Sequence, residues 1–161
     1  MPDNAVALSE SLGDYLESIY HLAQERGVAR AKDIAAQMGV RMASVTGALH
    51  ALAERRLVNY DPYSLITLTP RGERVAKDLV RRHEMLARFF NAVLAIDAKT
   101  ADRNACHIEH AIEPAVLERL VKFVEFIEHC PRASSCWRET LAAKGARPCP
   151  QRAAGAKGGA Q

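Results

Sequence analysis

Residues 29–56, ARAKDIAAQMGVRMASVTGALHALAERR, constrain the fold more than any other stretch. Ile34, Ala35 and Met38 recur at helical spacing, Gly39 stops that pattern, and Val45, Leu49 and Leu52 resume it after a tight Gly39-Val40-Arg41 turn. Two short helices joined this way read as a helix-turn-helix. The β-branched and apolar runs LVNYD and LITLTP follow, bracketing Asp61-Pro62-Tyr63-Ser64, and predict a small hairpin in the position of a wing. Ahead of the pair, Leu12, Leu16, Ile19, Tyr20 and Ala23 mark an amphipathic helix from Leu8 to Gln24, closed by Gly27.

Thr69-Pro70-Arg71-Gly72-Glu73 supplies an N-cap, a first-turn proline and an early acid, and opens a long linking helix through roughly Asn91. Beyond Asp97 the pattern is all helical. In PAVLERLVKFVEFIEHC the residues Val116, Leu117, Leu120, Val121, Val124 and Ile127 form one broad apolar face, and Leu120, Val124 and Ile127 are expected in a dimer interface. Cys130 is expected to end the last helix before Pro131, and Trp137 to pack against the domain. The expected class is mainly α: a winged helix-turn-helix over 1–70, a linking helix and an all-helical dimerisation domain over 71–140, and a flexible Gly/Ala/Pro/Lys-rich tail over 141–161.

With 161 residues, 48% of them hydrophobic, the chain can build a core. No apolar run reaches the ~18 residues of a membrane span, and MPDNAVALSE lacks the blocks of a secretory signal, so a soluble cytoplasmic protein is expected. Cys106, Cys130, Cys136 and Cys149 are too sparse and uneven for a disulfide scaffold. The net charge of +3 permits nucleic-acid binding without requiring it.

In a helix-turn-helix the first residues of the second helix meet base edges. Here they are Arg41, Ala43, Ser44, Thr46 and Gly47. Arg41 can reach a guanine edge or a phosphate, Ser44 and Thr46 can donate hydrogen bonds, Ala43 can touch a thymine methyl, and Gly47 permits close approach. Lys32, Arg55, Arg56 and Arg71 add charge for the DNA backbone. Small and polar residues leading the second helix, with a hairpin behind it, favour DNA over a purely structural helix pair.

In NACHIEHAIEP, residues 104–114, Cys106, Glu109 and His110 stand at i, i+3 and i+4 and share one helix face. Thiolate, carboxylate and imidazole suit a first-row divalent ion such as Fe(II), Mn(II), Co(II), Ni(II) or Zn(II). Taken alone, such a set is more often a packed cysteine beside surface polar residues. Asp14 and Glu17, at i, i+3 on the first helix, and His83, after Arg81-Arg82 on the linking helix, offer further donors if the three helices meet.

The order of GDYLESIY, a winged helix-turn-helix, RRHEML and ACHIEH resembles the family of metal-dependent repressors that includes the diphtheria toxin repressor and the manganese transport regulator, over about residues 8–130. The resemblance implies a homodimer that binds a double-stranded DNA operator when metal occupies a site between the DNA-binding and dimerisation domains. By position it makes Asp14, Glu17, His83, Cys106, Glu109 and His110 the metal residues. The chain is a hybrid: manganese-type members carry Glu at the position of Cys106, whereas iron-type members carry Cys there but Met at the position of Asp14. Ala87 stands where many members place a second-site Glu, and the extra C-terminal SH3-like domain of long iron-type members is not expected here. A soft thiolate tips the expected cofactor to Fe(II) over Mn(II).

The expected function is therefore a metal-activated DNA-binding repressor of iron or manganese homeostasis genes, not an enzyme, with neither a membrane nor a small-molecule substrate as partner. The alternative is a winged-helix regulator that senses oxidants or a small molecule through Cys106 without metal. An enzyme is disfavoured because the chain has no Gly-rich phosphate loop, nucleophile elbow or HExxH helix. His129, Cys130, Cys136 and Cys149 lack zinc-ribbon spacing, and Cys149 is expected to be a tail thiol.

Overall fold

The computed structural model describes residues 8–61 and 64–142. Seven α-helices and one two-stranded hairpin make up the described residues, in the order α1 (Glu10–Arg26), α2 (Ala31–Met38), α3 (Met42–Glu54), β1 (Val58–Asn59), β2 (Thr67–Leu68), α4 (Pro70–Arg88), α5 (Ala98–Glu109), α6 (Pro114–His129) and α7 (Pro131–Ala142). Ser9 caps α1 by accepting a hydrogen bond from the Leu12 amide. Gly39 ends α2 at φ 65°, a left-handed conformation that lets its amide reach the Ala35 carbonyl and turn the chain into α3.

The helix-turn-helix packs on α1 and the hairpin around Leu16, Ile19, Ile34, Leu49, Leu52, Leu57 and Ile66, all fully buried. The strands pair antiparallel, Val58 opposite Leu68 and Asn59 opposite Thr67, and Ile66 bridges to Ala29 at the N-terminal edge of α2. The expected turn residues Pro62 and Tyr63 and the expected tail from residue 143 onward lie outside the described residues.

Thr69 caps α4 by accepting from the Gly72 amide at 3.0 Å while its hydroxyl donates to the Arg56 carbonyl at 2.8 Å. Gly72 itself lies so close to the Leu57 backbone that a Cβ would stand 1.8 Å from the carbonyl oxygen. These contacts lock the direction in which α4 leaves the hairpin. Helix α4 packs along both α1 and α5, then widens at Phe89–Val93 into one π-helical turn. A second core of Val93, Val124 and Ile127, with Met85, Phe89, Leu94 and Trp137 against it, joins that turn to α6 and α7.

Two expectations are corrected here. Val124 and Ile127, expected at a dimer interface, are 0% and 7% exposed within the single chain because α6 turns them onto the π-helical turn and α7. The free side of α6 instead carries Val116, Phe123 and Phe126, at 53%, 41% and 57% exposure, with Leu120 part-buried. Cys130 does end α6, but the chain is helical again from Pro131. Trp137 packs as expected, its indole donating to the Val93 carbonyl at 2.6 Å.

Candidate metal centre

Helix spacing brings the donors to one place. Asp14 and Glu17 occupy one face of α1, Cys106 and Glu109 the last turns of α5, His110 the residue capping α5, and His83 the facing side of α4. The Cys106 thiol donates to Asp14 Oδ1 at 3.6 Å, and His110 Nε2 stands 3.5 Å from the same oxygen. One ligand atom each from Asp14, Cys106 and Glu109 lies within 4.8 Å of the others. Atoms gathered that closely are within reach of one first-row ion, whose bonds to such ligands are ~2.0–2.3 Å long.

Glu109 is fully buried, with one oxygen 2.7 Å from His83 Nδ1 and the other 3.2 Å from His110 Nε2. The second contact is close without being aligned, so Glu109 Oε1 and His110 Nε2, together with Glu17 Oε1, are buried atoms with no hydrogen-bond partner among the described residues. Buried polar atoms are normally satisfied, and three left without a partner on the residues of this region fit a cation as the missing partner.

The electrostatics agree with that fit. Burial pushes the Glu17 carboxyl up to about 7, with the charges of Glu109 and Asp14 adding to the shift and His83 opposing it. Burial also pushes the Cys106 thiol up to about 12, helped by Asp14 and Glu109. His83 is raised to about 9, first by its hydrogen bond to Glu109 and also by one to Asp102, against the cost of burial. Each shift records too much negative charge in too little water, which a divalent ion relieves.

Two neighbours were not singled out as site residues from the sequence. Asp102 Oδ1 lies 3.0 Å from His83 Nε2, so both ring nitrogens of His83 meet carboxylates. Asp102 stands four residues before Cys106, a helical signal that was available. His107, adjacent to Cys106, pairs with Glu10 at 2.8 Å and adds a surface link between α5 and the start of α1.

Elsewhere in the N-terminal region, Arg41, Ala43, Ser44 and Gly47 are exposed at the start of α3, while Val45, Ala48, Leu49 and Leu52 face the core. Thr46 is part-buried and its hydroxyl donates to the Met42 carbonyl at 3.0 Å, leaving its oxygen lone pairs for other contacts. Between α3 and the hairpin runs an open groove lined by Arg30, Lys32, Met42, Thr46, His50 and Tyr60. Of these basic residues only Lys32 was singled out from the sequence.

Two family profiles account for most of the chain: "Iron dependent repressor, N-terminal DNA binding domain" matches residues 7–66, and "Iron dependent repressor, metal binding and dimerisation domain" matches residues 69–138. The chain is 36% identical over 119 residues to an uncharacterised HTH-type transcriptional regulator of Methanocaldococcus jannaschii, covering 73% of this chain and 95% of that protein. It is 33% identical over 118 residues to the HTH-type transcriptional regulator MntR of Bacillus subtilis, covering 73% and 82%. Among solved structures it is similar to the manganese regulator SloR, with TM-score 0.65, 30% identity and coverage of 75% of this chain and 56% of that one. A manganese-dependent transcriptional repressor in complex with manganese gives TM-score 0.64 and 30% identity, covering 71% and 53%. The chain thus spans about half the length of these solved structures. No helix among the described residues is long and apolar enough to cross a membrane. With the donor cluster in place and both profiles matched, the chain belongs to the iron-dependent repressor family of metal-dependent, DNA-binding transcriptional regulators.

Proposed function

We propose that this protein is a homodimeric repressor of iron or manganese homeostasis genes, activated by one class of divalent ion at the junction of α1, α4 and α5. The observation that carries this reading is the convergence of Asp14, Cys106, Glu109 and His110, with buried oxygen and nitrogen atoms that have no hydrogen-bond partner among the described residues. These four are the inner donors, and Glu17 and His83 flank them. A bound ion supplies positive charge there. Asp14 and Glu17 contribute from the helix that supports the DNA-reading pair, and Cys106, Glu109 and His110 from the helix that follows the linker, so ligation ties the two regions together.

Fe(II) is the proposed ion, ahead of Mn(II), because Cys106 offers a thiolate in place of a second hard carboxylate. On the DNA side, Arg41, Ala43, Ser44, Thr46 and Gly47 are proposed to face the major groove, with Arg30 and Lys32 reaching the phosphates from the groove beside α3. Domain limits of 1–70, 71–140 and 141–161 go with this reading.

The test is anaerobic titration of the purified protein with Fe(II), Mn(II), Co(II) and Zn(II), read by binding to duplexes selected from a randomised pool. Metal-dependent selection of a two-fold symmetric sequence, with Fe(II) effective at lower concentration than Mn(II), is expected. DNA binding that ignores metal and responds to oxidation of Cys106 would instead establish a thiol sensor.

A further inference from the structure

Gly13 lies inside α1, buried, immediately before Asp14. Glycine is a poor residue for a helix interior, since it loses more backbone freedom than any other. Its φ is not left-handed, so no turn requires it. What requires it is the neighbour: a Cβ built on Gly13 would stand 2.2 Å from Cε1, 2.9 Å from Nδ1 and 3.2 Å from Nε2 of His110. The Cε1 edge of the His110 imidazole lies against the bare α1 backbone. Only from there does its Nε2 stand 3.5 Å from Asp14 Oδ1 and 3.2 Å from Glu109 Oε1.

We infer that Gly13 is a positioning residue for the metal centre: its missing side chain is the seat that holds the His110 ring among Asp14, Cys106 and Glu109. This rests on the reading of the cluster as a metal site and adds a residue that carries no donor atom. Any side chain at position 13 meets the far end of the His110 side chain and displaces the ring from the cluster. The helix then keeps its course and the ligand set loses its imidazole nitrogen. The effect is local, because Asp14 follows on the next residue and Cys106 reaches Asp14 without passing Gly13.

The experiment is Co(II) titration, with absorption spectra, of wild type, Gly13→Ala, His110→Ala and the double variant. Gly13→Ala is expected to lose at least tenfold in Co(II) affinity. Its ligand-field bands should match those of His110→Ala, with the sulfur-to-cobalt charge-transfer band of Cys106 retained. The double variant should bind within about twofold of His110→Ala, because a residue acting only through His110 has nothing left to lose. Should Gly13→Ala fail to fold, a folded double variant binding like His110→Ala gives the same answer. Wild-type affinity and spectrum in Gly13→Ala would overturn the inference, as would additive losses or an unfolded double variant. Absence of Co(II) binding by wild type would instead remove the metal reading itself.

Discussion

A thiol buried beside two carboxylates keeps its proton, and Cys106, pushed up to about 12, joins a metal only by exchanging that proton for the ion. Glu17, near 7, and His83, near 9, also hold protons at or below neutrality. Metal uptake is therefore expected to release more than one proton at pH 6.5 and to weaken steadily as pH falls, measurable by calorimetry in buffers of different ionisation enthalpy. Without metal the sign reverses. Glu17 and His83 both have folded values above their ordinary ones of 4.5 and 6.5, so the folded state holds the extra protons and loses stability as pH rises. The melting temperature of chelator-treated protein should fall between about pH 5 and 7 through Glu17 and between about 6.5 and 9 through His83. Saturating metal should flatten or invert that slope. Cys106→Ala should lose more metal affinity than the about 10–100-fold typical of an outer partner, along with the charge-transfer band of bound Co(II). Cys106→Glu should move preference toward Mn(II) while DNA binding stays metal-dependent. A Cys106→Ala protein with wild-type affinity would return Cys106 to plain packing.

At the scale of the helix, α6 has two apolar sides. The side carrying Val124 and Ile127 closes the second core, and the side carrying Val116, Phe123 and Phe126 is left to solvent in the single chain. A contiguous apolar patch in a dimerisation domain is expected to meet a second copy. Phe123→Glu and Phe126→Glu should raise the dimer dissociation constant, read by sedimentation velocity, with little change in monomer stability. Ile127→Ala should do the reverse, costing about 2–5 kcal/mol of folding stability through the cavity it leaves. Equal dissociation constants for Phe126→Glu and wild type would place the interface elsewhere. Periodicity alone could not make this distinction, because it reports that a face is apolar and not what covers it. It reaches furthest where one helix fixes the answer: the i, i+3 pair Asp14 and Glu17 and the i, i+3, i+4 set from Cys106 are helix geometry, and Asp14, Cys106, Glu109 and His110 lie side by side in the structure. It failed for α7, where Pro131 reads as a stop but occupies the helix start, and where Trp137 is the main apolar anchor. Gly13 was illegible for the same reason as the α6 face, since its meaning lies in how closely another helix approaches.

For the whole molecule, the donor cluster sits where α1, part of the N-terminal core, meets α5, packed along α4. Asp14, Glu17 and Glu109 share that seam, where burial first, and then the charges of Glu109 and Asp14, raise Glu17. An ion held by Asp14, Cys106, Glu109 and His110 would offset that charge and favour the arrangement in which α1 and α5 stay together. In a homodimer that arrangement also sets the spacing of two α3 helices, which must match successive major-groove segments about 34–36 Å apart. Metal and DNA then stabilise one common state, and linkage makes the effect reciprocal. The factor by which metal tightens a selected duplex should equal the factor by which that duplex tightens metal, in the range of about 5–150-fold. Arg41→Ala separates the two halves of the cycle. If Arg41 grips a base edge, its loss should weaken the selected duplex by about 1–3 kcal/mol while metal affinity without DNA stays at the wild-type value. Equal weakening on selected and random duplexes would move Arg41 to a phosphate contact and leave the cycle intact. A coupling factor of one, measured by metal titration with and without saturating duplex, would remove the linkage and require a metal role confined to folding or dimer assembly.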